Sequence, residues 1–197
     1  MRTRASSEPN GSGLPVILLF RAMAGLVMPA STPGWGHKVP QARKKAGADV
    51  SARSAPKRQV KSAKVYVRDS GVLHTLLGIE DRHQLAVHPK SGASWEGFAL
   101  ETVLRAVEPR EAYFWATHEG AELDLMLTSR GARWGFEFKR VDAPRATKSM
   151  QIARKDLGLR EVLVVHPGPG THRLGDGISA VGLSALGEAL AARKLVR

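Results

Sequence analysis

Apolar and polar positions follow two regimes along the chain. From Lys57 onward they repeat with the periods of regular secondary structure. KVYVRD, ending at Asp69, alternates and is β-branched, which predicts a short strand. DSGVLHTLLGI predicts a helix with Asp69 as its N-cap. GASWEGFALETVLRAV is an amphipathic helix over residues 93–107. AYFWATH, AELDLML and ARWGFEFKR predict three strands, with turns at Glu119–Gly120 and Ser129–Gly131, the last two forming a hairpin. ATKSMQIARKDLG reads as a helix closed by Gly158. REVLVVHP is a continuous apolar run of the kind found in interior strands. HRLGDGISAVGL is a final strand or loop, and SALGEALAARKL a C-terminal helix. The order predicts an α/β fold: a mixed β-sheet flanked by helices.

Residues 1–56 follow the other regime. Six prolines, Pro9 to Pro56, break any sustained period, and the segment predicts an irregular or disordered basic head. LPVILLFRAMAGLVM, residues 14–28, is its one apolar stretch. With Arg2 and Arg4 ahead of it, it has the outline of a secretion leader, but Arg21 interrupts it and Glu8 and Pro9 spoil the lead. A short local helix or a misassigned start is the preferred reading. No run of about 18 apolar residues occurs, so a spanning helix is not expected. The lack of cysteine fits the expected cytoplasmic protein.

The 197 residues carry a net charge of +12, of which +7 lies in residues 1–57. The regular region is thus only mildly basic, and bulk charge alone does not establish nucleic-acid binding. The chain has no cysteine, which excludes disulfide scaffolds, thiolate zinc sites, iron–sulfur clusters and a cysteine nucleophile. None of the seven histidines forms an H-x-x-x-H or H-E-x-x-H pair. Trp95, Trp115 and Trp134 are expected in packing roles. His118, at the end of a strand, is expected at the surface or in packing. The basic cluster Lys57, Arg58, Lys61, Lys64 and Arg68 is either a phosphate-contacting patch or a solvated strand edge.

Four side chains carry the chemistry. Asp124, in AELDLML, is expected to point away from Leu123 and Leu125. Glu137 and Lys139, two apart in FEFKR, share the face opposite Phe136 and Phe138. If register brings Asp124 to that face, two carboxylates make a hard-oxygen site suited to Mg²⁺, and the lysine helps orient or deprotonate the attacking water and offsets charge on a phosphate. The competing reading is a solvated hairpin with a cross-strand ion pair. Stepping about 100° per residue along the helix, Leu100, Val103 and Val107 fall within about 40° of Glu96. Glu96 is therefore centred on the apolar stripe, either aimed at the site or placed in the first turn in reach of water. Glu101 falls beside Arg105 and Glu108 on the polar face, where it predicts surface charge.

Taken in order, KRQVKSAKVYVRDSGVLHTLLGI, GASWEGFALETVL, AYFWATHEGAELDLML and GFEFKR resemble the C-terminal domain of unknown function of prokaryotic AAA-type ATPases. The resemblance runs from Lys57 to Arg197. That domain is similar to the restriction-endonuclease-like, PD-(D/E)XK fold. The resemblance implies catalytic roles for Glu96, Asp124, Glu137 and Lys139, with Asp124 and Glu137 as Mg²⁺ ligands, and a polar helper role for Gln151. It implies a nuclease-like domain at 57–197 hydrolysing DNA phosphodiesters, or else a non-catalytic module that binds DNA or a partner protein. No G-x-x-x-x-G-K-[S/T] loop occurs, so ATP hydrolysis is not expected. A truncated or frame-shifted relative without autonomous activity, its residues 1–56 accidental, is the third alternative.

Overall fold

The computed structural model describes residues 64–196 and the strand Leu18–Phe20. The rest of the predicted head, with Lys57, Arg58 and Lys61, lies outside the described residues. Leu18–Phe20, here β1, is extended and pairs in parallel with β2, Val65–Val67. At those three residues the strand replaces the predicted local helix.

Asp69 caps α1, Ser70–Leu76, by accepting from the Val72 amide. A short helix that the pattern did not signal, α2 at Arg82–Val87, follows with Asp81 as its cap. The long amphipathic helix is α3, Ser91–Val107. Beyond it come β3 (Ala112–Ala116), β4 (Glu122–Ser129) and β5 (Ala132–Phe138). Helix α4 (Lys148–Leu157) ends at Gly158, and β6 (Glu161–His166) is the interior strand. The stretch expected as one strand or loop is a hairpin of β7 (Thr171–Gly175) and β8 (Ile178–Gly182), followed by α5 (Leu186–Ala192). β7 escaped notice because it is a polar, exposed edge strand without apolar alternation.

Six strands form one mixed sheet in the order β3-β4-β5-β6-β8-β7. β5, β6 and β8 run parallel, and the flanking pairs are antiparallel. β6 and β8 are buried on both faces, which explains their unbroken apolar sequence. The β4–β5 hairpin turns on Arg130 and Gly131, at φ 50° and 76°, the left-handed pair that a two-residue hairpin needs.

Two cores cover the two faces. On one, Leu100, Val103 and Val107 of α3 and Leu190 of α5 pack over Leu125, Phe136, Phe138 and Leu163. On the other, Met150, Ala153 and Leu157 of α4 pack over Leu123, Met126, Val162 and Val164. Trp115 and Trp134 are buried in these cores, as expected for packing residues.

Candidate functional site

An irregularity in β4 builds the site. Tyr113 pairs with Met126, yet Trp115 pairs with Leu123, so β4 spends one more residue than β3 between these pairs. Such a bulge breaks strict alternation. Leu123 consequently packs under α4 while Leu125 packs under α3, and the expectation that both point the same way is corrected. Asp124 lies in the bulge, next to the end of the β4–β5 ladder at Leu125↔Phe136.

The Asp124 carboxylate takes over where the ladder stops. Its Oδ2 accepts from the Phe138 amide at 3.0 Å. Its Oδ1 accepts from Lys64 Nζ at 2.9 Å, and the same ammonium donates to Glu96 Oε1 at 3.1 Å. Lys64 also lies over the Phe114 ring, 4.6 Å from its centroid. Burial alone would lower the pKa of Lys64, but Asp124 and Glu96 outweigh it and hold the ammonium above its ordinary value. Tyr66 donates its hydroxyl to the same Glu96 oxygen, and burial with that contact raises the phenol pKa. Glu96 is thus half-buried on α3 and supplied with two donors from the β2 segment.

Glu137 is 4% exposed, between Phe136 and Phe138 on β5. Its Oε1 lies 2.7 Å from Lys139 Nζ, and its Oε2 is buried with no hydrogen-bond partner among the described residues. Burial raises its pKa, the neighbouring Asp124 charge raises it further, and Lys139 and the Asp124 backbone offset part of the rise. The carboxyl ends at about 7. For Lys139, burial acts downward, but Glu137 and Asp124 prevail and keep the ammonium protonated.

The four predicted site residues fall into two ion-paired groups, Glu96 with Asp124 and Glu137 with Lys139. Lys64 joins Glu96 to Asp124, and Lys139 pairs with Glu137, which senses Asp124 through its charge. Among the described residues, no group of three or more His, Asp or Glu side chains is arranged to hold a metal ion. The carboxylates that could offer oxygen to a cation are those of Asp124 and Glu137, of which Glu137 Oε2 has no hydrogen-bond partner among the described residues. Gln151 is exposed on α4 and bonds to none of these side chains among the described residues. His118 is exposed.

Sequence reasoning missed the part played by β2. Lys64, Tyr66 and Arg68 alternate along one strand face, and all three serve acids of α3. Arg68 grips Glu101 with two bonds of 2.8 and 2.6 Å, and Arg105 adds a third at 2.9 Å. Glu101 is 5% exposed, so its expected surface role is corrected: the polar face of α3 is covered by the β2–α1 segment. Burial acts to raise the pKa of Glu101, but the two arginines overcome it and the net shift is downward. The signal was the period-two repeat Lys-x-Tyr-x-Arg opposite two acids on one helix.

Residues 91–186 match the family described as a domain of unknown function, DUF4143. The chain is similar to uncharacterized proteins of Mycobacterium tuberculosis and Mycobacterium bovis, each 46% identical over 125 residues. The match covers 64% of this chain and 28% of each relative, so the chain spans little more than a quarter of the length of those proteins. No solved structure matches it. Among the described residues, no helix is long and apolar enough to cross a membrane.

Proposed function

We propose that Asp124 and Glu137 hold a divalent cation, Mg²⁺ by the chemistry of its donors, and that the domain is nuclease-like, hydrolysing DNA phosphodiesters. The observation that carries this reading is Glu137 Oε2, a buried carboxylate oxygen without a hydrogen-bond partner among the described residues, in a carboxyl that feels the charge of a second buried carboxylate, Asp124. A lone buried carboxylate oxygen costs several kcal/mol unless it finds a proton or a cation, which supports a site made to be filled. Mg²⁺ takes oxygen ligands, keeps water and bridges to phosphate, and when bound it supplies charge stabilisation and a more acidic water.

The chain's own groups have separable tasks. Asp124 is fixed by the Phe138 amide and by Lys64, which sets its carboxylate at the open end of the hairpin. Glu137, poised at about 7, is neutral or charged near physiological pH according to whether a cation neutralises it. Lys139 stays protonated and faces charge developing on a phosphate rather than acting as a base. Glu96 holds Lys64, and so positions Asp124 at one remove. ATP plays no part in this reading. The likeness to AAA-associated, PD-(D/E)XK-type domains, like a cytoplasmic setting, is part of the same proposal.

One observation favours a second reading. The Lys64 ammonium already sits between Glu96 and Asp124, supplying a cation from within the chain. A network closed in that way suits a non-catalytic module that binds DNA or a partner protein. Cleavage of duplex and single-stranded DNA in Mg²⁺ or Mn²⁺ decides between them. Hydrolysis lost in both Asp124→Ala and Glu137→Ala supports the enzyme. Salt-sensitive binding without hydrolysis supports the module.

A further inference from the structure

At the other end of the sheet lies a cleft of about 460 Å³ lined by Arg154, Arg160, Arg173 and Arg193, with Glu161 and Asp176. Glu161 pairs with Trp134 of β5, whereas Glu137 pairs with Val164. The cleft is therefore three residues, about 10 Å, along the strands from the carboxylate site.

Its charges do not cancel. Glu161 is consumed by Arg193, which grips it with two bonds of 2.7 Å while Ser179 donates a third. Burial would raise the Glu161 pKa, but Arg193 and Ser179 turn the net shift downward, so the pair is a fixed, neutral floor. Asp176 is 92% exposed and 3.8 Å from Arg154, too loose and too solvated to neutralise it. Three guanidinium groups remain around the opening. Arg173, on the edge strand β7, has no ion pair among the described residues and meets the charge of Glu161, already gripped by Arg193, only at longer range. Arg160 stands over the Trp134 ring, 5.4 Å from its centroid, and has no ion pair among the described residues. Arg154 has a buried Nε without a partner. Its guanidinium lies against Gly177, where a Cβ would come within 2.0 Å of Nε, so the glycine at φ 64° makes the space that holds it.

We propose that this cleft is a phosphate-binding site, taking a phosphate or diphosphate group on Arg154, Arg160 and Arg173. Guanidinium forks match phosphate oxygens two by two, and gathering three like charges around a concavity is unfavourable until an anion joins them. The site is separate from the carboxylate pair and stands whether or not that pair holds a metal. The phosphate comes either from a free nucleotide or inorganic ion, or from a nucleic-acid backbone.

The test is calorimetric titration of the full chain with inorganic pyrophosphate at low salt, beside a short labelled oligonucleotide. One pyrophosphate is expected per chain. Arg160→Gln and Arg173→Gln, both at exposed positions, each weaken it about tenfold, and together about a hundredfold. Arg110→Gln, an exposed arginine elsewhere, leaves it within about twofold, and thermal melting checks that all four variants fold. Oligonucleotide binding that falls in the same two variants identifies a backbone as the source. Oligonucleotide binding indifferent to them, with pyrophosphate binding lost, identifies a free phosphate ligand. No pyrophosphate binding at about 10 mM, or an equal loss in Arg110→Gln, overturns the site.

Discussion

Replacing Glu137 by glutamine should stabilise the domain, and only on the alkaline side. In the folded chain the carboxyl titrates at about 7 against an ordinary 4.5, because it is buried and next to Asp124. Between those values the folded state holds a proton that the unfolded chain has released. Stability therefore falls as pH rises from about 4.5, and the full penalty is in place above about 7. At 1.36 kcal/mol per unit the penalty is about 3 kcal/mol. Glutamine cannot ionise, so it avoids the penalty, which is already net of the ion pair with half-exposed Lys139. The variant should lie within about 1 kcal/mol of the wild type near pH 5 and exceed it by about 3 kcal/mol at pH 8. For a domain of this size that is a rise of several degrees in Tm. Urea unfolding or thermal melts at the two pH values, in chelator, provide the assay. An equal difference between variant and wild type at pH 5 and pH 8 would refute a strained, ionised Glu137.

Other consequences concern the supports of the site. Asp124→Ala strips the Phe138 amide and Lys64 of their acceptor, so unfolding free energy should drop by about 2–4 kcal/mol in urea titration, with Asp124→Asn recovering part of it. Gly135→Ala sets a Cβ 2.8 Å from Leu159 Cδ1, 3.1 Å from Leu123 Cδ2 and 3.2 Å from Val162 Cγ2, all buried side chains. It should cost about 1–3 kcal/mol by the same measurement, and a neutral result would show that this core yields. Glu101, whose pKa is depressed by Arg68 and Arg105, contributes stability that is present above about 4.5 and lost as acid titrates it. Glu101→Gln should therefore weaken the fold at pH 7 and flatten its acid limb, seen as melts that converge with the wild type toward pH 3.

The long elements could be read directly because each obeys one period over many residues. The α3 stripe of Leu100, Val103 and Val107 and the unbroken apolar run of β6 needed no tertiary information. Gly131 and Gly158 marked their turns correctly because left-handed backbone selects glycine. What stayed hidden depends on pairing across the chain. The side that Asp124 takes is decided by a bulge opposite β3, which a strict alternation cannot anticipate. Glu101 stands on the polar face of its own helix, and only the docking of β2 turns that face inward. Lys64 looked like one more solvated base because its two acids lie 32 and 60 residues away.

The coupling of Asp124 and Glu137 through one cation is most directly tested by calorimetric titration of Mg²⁺, then Mn²⁺, into the wild type, Asp124→Asn and Glu137→Gln at pH 6 and pH 8. The expected result is a single site on the wild type, tighter at pH 8 because Glu137 is then ionised, and abolished by either substitution. Binding that is absent in the wild type, or that survives in both variants, would contradict the shared site.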